Sequence, residues 1–198
     1  SAALFGESAY LTPWQLWQIK AVRLTAPDLS SNSAVVAGRH MEPALAGWAT
    51  EKWDMKLRKV RRYLEDDQEL GMGASLDYEV VGTLEPVEIK WSLWGDGWQF
   101  ERNVITDYPL HYGIQVQHEM ACANADHAWL VAFCGGELRR CVIPRQDSVI
   151  EALRREVGLF WLNVRADIEP PPDFTRDAEA IGRLHLAAED RLADLTAD

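Results

Sequence analysis

Cysteine is scarce in this chain: Cys122, Cys134 and Cys141 are the only three in 198 residues. An odd count without a CxxC spacing excludes a disulfide framework, a zinc knuckle and an iron–sulfur site. The three are expected to be reduced thiols in the core of a cytoplasmic protein. No run reaches the ~18 consecutive apolar residues of a membrane-spanning helix. No basic segment leads into an apolar stretch, so no signal peptide is visible. The sequence opens on Ser1 rather than Met, from which residues upstream are expected. Repeats and low-complexity tracts are missing too. Basic charge is in deficit, with 20 Lys and Arg against 31 Asp and Glu, a net of −11. Taken alone, that balance argues against non-specific polyanion binding.

What is present is ordinary globular material. Hydrophobic residues make up 47% and charged residues 26%, enough for a proper core in one domain or in one domain with an appendage. The charge is unevenly spread. Lys56, Arg58, Lys59, Arg61 and Arg62 cluster, and such a run suits either a DNA path or a solvated strand face. Residues 173–198 are acidic, with seven acids against three arginines. Glu169-Pro170-Pro171-Pro172-Asp173 is the one clear punctuation, because three prolines continue neither a helix nor a central strand. It sets a main body, 1–173 with its linker, apart from a segment 174–198. That segment reads as one amphipathic helix from about Asp177 to Leu195, appended to the same domain.

Within the body, Thr12-Pro13 opens a helix through Trp14, Leu16, Trp17 and Lys20. Residues 25–38 read as a loop. A second helix starts near Met41, with Leu45, Trp48 and Ala49 on one face. Residues 57–64 lean towards strand. Ser75 to Val81 and Val87 to Trp91 read as strands joined at Gly82, and residues 92–107 as a loop. Tyr112 to Ala125 is helical. Ala128 to Cys134 and Leu138 to Ile143 are strands turned at Gly135-Gly136, and Ser148 to Val164 is a helix. The order predicts an α/β or α+β fold with a central mixed β-sheet flanked by helices. Trp14, Trp17, Trp48, Trp53, Trp129 and Trp161 fall on apolar faces and are expected in the core. Trp91, Trp94 and Trp98 sit in or beside the Gly/Asp loop, where a base-stacking role is the alternative. The five histidines show no metal-ligand spacing.

The chemistry-bearing stretch is Ala74-Ser75-Leu76-Asp77-Tyr78 followed by Val87-Glu88-Ile89-Lys90-Trp91. Glu88 and Lys90 are two apart, so they share one face of a strand. Ionisable groups among residues that pattern as buried are costly unless paired or bound to a metal. Carboxylates on neighbouring strands are hard oxygen ligands suited to Mg²⁺, and a lysine beside them could orient an attacking water. Spacing alone also allows a solvated ion pair. Gly38-Arg39-His40-Met41-Glu42-Pro43 adds a third carboxylate at the start of a helix. Tyr112-Gly113-Ile114-Gln115-Val116-Gln117 adds amides at the start of another.

Taken in order, these motifs resemble the PD-(D/E)XK nuclease superfamily, and more narrowly the YqaJ-type viral recombinase family that includes phage lambda exonuclease. The opening Ala2-Ala3-Leu4-Phe5-Gly6, with Ser8, Tyr10, Thr12-Pro13, Leu16-Trp17 and Lys20, resembles that family's first segment. Gly38 to Pro43, Gly73 to Asp77, Val87 to Lys90, and Tyr112 with Gln115-Val116-Gln117 and Met120 resemble the later ones, up to about residue 173. The resemblance implies a restriction-endonuclease-like core. It implies that Glu42, Asp77, Glu88 and the Ile89 carbonyl hold Mg²⁺, for which Mn²⁺ can substitute. Lys90 would position the water and Gln115 would support it. It implies a 5′→3′ exonuclease on linear double-stranded DNA that leaves 3′ single strands for phage-type recombination. A single-strand annealing protein and a homotrimer are the implied partners, with no membrane. An endonuclease or structure-specific nuclease, and a non-catalytic DNA-binding scaffold, are the alternatives. Leu76, Tyr78 and Trp91 depart from the family pattern, and the family's Arg for the 5′-phosphate has no counterpart in this chain.

Overall fold

The structure, a computed structural model, describes residues 1–68, 70–92 and 97–184. Seven strands form the main sheet: β1 (Leu57–Lys59), β4 (Tyr78–Val80), β5 (Pro86–Ser92), β6 (Gln99–Glu101), β7 (Val104–Asp107), β8 (His127–Cys134) and β9 (Glu137–Pro144). Their spatial order is β1-β4-β5-β8-β9-β7-β6. β2 (Tyr63–Glu65) and β3 (Gly73–Ser75) pair separately as a small antiparallel ribbon. The main sheet is mixed: β5 runs parallel to β8 with Glu88 opposite Leu130, and β8 and β9 form an antiparallel hairpin turned at Gly135 and Gly136, both at positive φ. The helices are α1 (Pro13–Lys20), α2 (Ser33–Trp53), α3 (Leu110–Ala123), α4 (Asp147–Arg165) and α5 (Ala178–Leu184), preceded by a short 3₁₀ turn at Ala2–Phe5.

Strand alternation decides which face each residue meets. On β5, Val87 and Ile89 pack with Leu45, Ala46 and Ala49 of α2 and with Val131 of β8. Ala128, Leu130, Ala132 and Cys134 of β8 turn the other way, onto Val116 and Met120 of α3. The sheet is thus covered on both faces, as an α/β core requires. A third cluster joins Met72, Ala74 and Leu76 to Ile150, Leu153 and Val157 of α4. Cys122 and Cys134 are buried, Cys141 is half-buried, and all three are free thiols.

Several sequence expectations are corrected. α2 begins at Ser33, not near Met41, because the Asn32 side chain accepts from the Ala34 and Val35 N–H groups at 3.0 and 3.2 Å and caps the helix early. Pro43 therefore lies inside the helix and Glu42 in its middle, not in its first turn. An internal proline removes one helix hydrogen bond; burial of Leu45, Ala46 and Ala49 against the sheet carries the helix across it. The stretch 57–64 splits into β1 and β2 in different sheets, with Val60 turned into the core at the corner. The loop expected over 92–107 contains the β6–β7 hairpin. Trp98 is buried there, stacked on Phe100 at 6.2 Å, and is core rather than a base-stacking side chain. Trp94 lies outside the described residues. Trp48 is 41% exposed rather than core. α5 covers the first part of the expected terminal helix, whose remainder, 185–198, also lies outside the described residues.

Candidate active site

β5 carries the centre. Glu88 and Lys90 sit on the face opposite Val87 and Ile89, as their spacing requires, and α3 lies over them. Glu88 is 2% exposed. Its Oε1 pairs with the Lys90 ammonium and accepts from the Gln115 carboxamide nitrogen at 2.8 Å. Its Oε2 is buried with no hydrogen-bond partner in the protein. Lys90 Nζ also donates to Gln115 Oε1 at 3.1 Å. Burial opposes the charge on Lys90, but the Glu88 and Asp77 carboxylates outweigh it and hold the ammonium above its ordinary range.

Asp77 lies in the link between β3 and β4. Its Oδ2 accepts from the Ile89 N–H at 3.2 Å, which ties the link to the centre of β5. Burial, then the charges of Glu88 and Glu42, push its carboxyl up to about 7. Glu42 reaches the same place from the middle of α2 and is ion-paired with Lys59 of β1. Glu42, Asp77, Glu88, Ile89, Lys90 and Gln115, all six residues marked out in the sequence, line one cavity of 350 Å³. A second cavity of 560 Å³ shares Lys90 and Gln115 and opens towards Ser8, Tyr10, His111 and Tyr112.

The donor set fits a hard divalent cation. Three carboxylates and Ile89 border the same space, one buried carboxylate oxygen lacks a partner, and a cation would offset both the burial and the carboxylate repulsion that raise Asp77. Among the described residues no three carboxylates, histidines or cysteines already close on a common point. One Glu42 oxygen, Oε1, is taken up by Lys59.

One buried acid at the site went unmarked in the sequence. Glu119, one turn beyond Gln115 on α3, is 3% exposed and accepts from the Gln115 carboxamide nitrogen at 2.9 Å. Its i+4 spacing from Gln115 was the available signal, hidden because acids at such positions usually face solvent.

The fold and part of the sequence recur in known proteins. The profile of the YqaJ-like viral recombinase domain matches residues 1–126. The chain belongs to this family. The match runs from the first turn through α3, so it contains every residue lining the 350 Å³ cavity. The YqaJ-like fold extends further in solved structures. LHK-Exo, an alkaline exonuclease from Laribacter hongkongensis, superposes with a TM-score of 0.54 at 18% identity, over 83% of this chain and 93% of that one. LHK-Exo in complex with dAMP gives 0.59 at 17%, over 92% and 91%. A phage related exonuclease from Haemophilus somnus 129PT gives 0.59 at 12%, over 78% and 81%. At these identities the likeness establishes the shared fold. No curated protein matches the sequence.

Proposed function

We propose that this YqaJ-like domain is a Mg²⁺-dependent 5′→3′ exonuclease that digests linear double-stranded DNA and leaves 3′ single strands for phage-type recombination. The observation that carries the reading is the 350 Å³ cavity, lined together by Glu42, Asp77, Glu88, Ile89, Lys90 and Gln115. The family membership and the exonucleases that share the fold support it. A divalent cation bound there supplies Lewis acidity at the scissile phosphate and lowers the pKa of a bound water. Glu42, Asp77 and Glu88 would hold it. Lys90, kept charged by its carboxylate neighbours, orients the attacking water and offsets negative charge that builds on the phosphate oxygens. Gln115 holds Lys90 in place through its carboxamide oxygen.

In this reading residues 1–173 are the nuclease domain and 174–198 an appended helix. The chain works in the cytoplasm as a homotrimer and passes its 3′ strand to a single-strand annealing protein. No helix among the described residues is long and apolar enough to cross a membrane. The deciding experiment is digestion of a linear duplex labelled at its 5′ or 3′ end, with Mg²⁺ or with EDTA, beside a closed circular duplex. Loss of 5′ label as mononucleotide, only with Mg²⁺ and only from the linear form, is the expected result. Cutting of the circle points to an endonuclease. Survival of every substrate in both Mg²⁺ and Mn²⁺ points to a DNA-binding scaffold.

A further inference from the structure

We infer that Glu119 is a positioning residue: it pins the Gln115 carboxamide so that its oxygen faces Lys90. The effect on turnover rests on the nuclease reading; the positioning itself does not. A primary carboxamide has two N–H hydrogens and one acceptor oxygen. In Gln115 the nitrogen lies 2.8 Å from Glu88 Oε1 and 2.9 Å from Glu119 Oε1, so both hydrogens go to carboxyl oxygens. The oxygen is left facing Lys90 Nζ at 3.1 Å. Without Glu119 the amide keeps Glu88 and Lys90, but one of its two N–H hydrogens loses its acceptor. Glu119 supplies the second contact from the same helix, and two acceptors on opposite hydrogens fix the amide plane.

The burial of Glu119 needs an explanation that the fold does not supply. An acid 3% exposed is costly, and among the described residues no lysine, arginine or histidine lies within ion-pair distance of it. Burial and the nearby Glu88 charge push its carboxyl well above the usual range. A leucine would fill the same volume without that cost. A buried acceptor aimed at the amide that holds Lys90 is a reason for an acid to stand there.

The test compares Glu119→Leu, which removes the acceptor, with Glu119→Gln, which restores one through its amide oxygen. Two readouts are taken on the intact chain. The first needs no catalysis: hydrogen exchange of the Gln115 side-chain amide, its signal assigned by its loss in Gln115→Ala. We expect slow exchange in wild type and Glu119→Gln, and fast exchange in Glu119→Leu. Equal protection in all three overturns the inference. The second is kinetics on linear duplex with Mg²⁺. Turnover at saturating DNA should fall up to about tenfold in Glu119→Leu, the scale of one buried hydrogen bond, with KM unchanged. Glu119→Gln should recover most of it. Glu119→Leu should add nothing in a Gln115→Ala background, because the two act in series. A fully additive loss, or a change in KM alone, overturns the inference. Should Glu119→Leu fail to fold, Glu119→Met serves in both readouts. A wild-type chain that cleaves no DNA sinks the nuclease reading, and amide exchange still decides the role of Glu119.

Discussion

At the scale of single residues, the site is a crowd of charges balanced against one another. Among the described residues Lys90 is the only cation paired with Glu88, and it is also held by Gln115. Lys90→Ala is expected to abolish cleavage of linear duplex and to leave the fold intact by circular dichroism. Turnover at the wild-type rate in that variant would remove Lys90 from the mechanism. His118, on the same helix as Gln115, has a different consequence. Its Nε2 meets the Gly73 carbonyl at 3.1 Å, its Nδ1 is buried without a partner, and burial pulls its pKa below 6.5. The sign follows from proton counts. The unfolded chain binds a proton at this ring as pH drops below about 6.5, while the folded chain does so only at lower pH. Stability contributed by the neutral ring is therefore lost on acidification. In urea melts the wild type should therefore lose midpoint relative to His118→Gln as pH drops below 6.5, whatever trend the raised Asp77 and Glu119 carboxyls give both proteins.

At the scale of elements, β1 and the corner after it present the basic run. Arg58 and Arg62 both reach Glu79 of β4, which is 3% exposed. Lys59 reaches Glu42. Part of the run thus has structural work: it covers a buried acid and reaches the edge of the candidate metal cavity. Lys56 and Arg61 are exposed. If the edge strand tracks the DNA backbone, Lys56→Ala with Arg61→Ala should weaken duplex binding and reduce the salt slope by about two, near one per lost phosphate contact. Removing Arg58 and Arg62 instead should lower thermal stability, because Glu79 would be left buried and unpaired. An unchanged salt slope in the first pair would place the DNA elsewhere. Splitting 57–64 into two strands was not legible in the sequence. Alternation over so few residues cannot show that the chain changes sheets, and the corner is set by Val60 packing against Met72 and Leu76.

At the scale of the molecule, the chain closes on itself. After α4, Arg23 holds Asp167 at 2.6 Å and the Trp14 indole donates to Glu169. The Thr12 hydroxyl donates to Asp177 at 2.7 Å, and Asp177 is fully buried. The stretch through the three prolines is therefore strapped to α1. Asp177→Ala should cost about 1–3 kcal/mol by leaving the strap's buried donors unsatisfied, read as a lowered unfolding midpoint. A midpoint equal to wild type would make the strap dispensable. Light scattering tests the homotrimer, and a monomer at working concentration would remove it.

Sequence alone carried the parts of this protein that local rules govern. The two-residue period of β5 put Glu88 and Lys90 on one face. The capping Thr12-Pro13 opened α1, and Gly135-Gly136 turned the hairpin. Motif order brought Glu42, Asp77, Glu88, Ile89, Lys90 and Gln115 together as a candidate set. Tertiary structure decided what depends on neighbours distant in the chain. It placed Glu42 in mid-helix against Lys59, left Glu88 Oε2 without a partner, buried Trp98 and exposed Trp48. It also buried Glu119 beside Gln115. The division has one physical cause: backbone periodicity and caps act over a few residues, whereas burial and the charge felt by a carboxylate are set by whatever the fold packs against it.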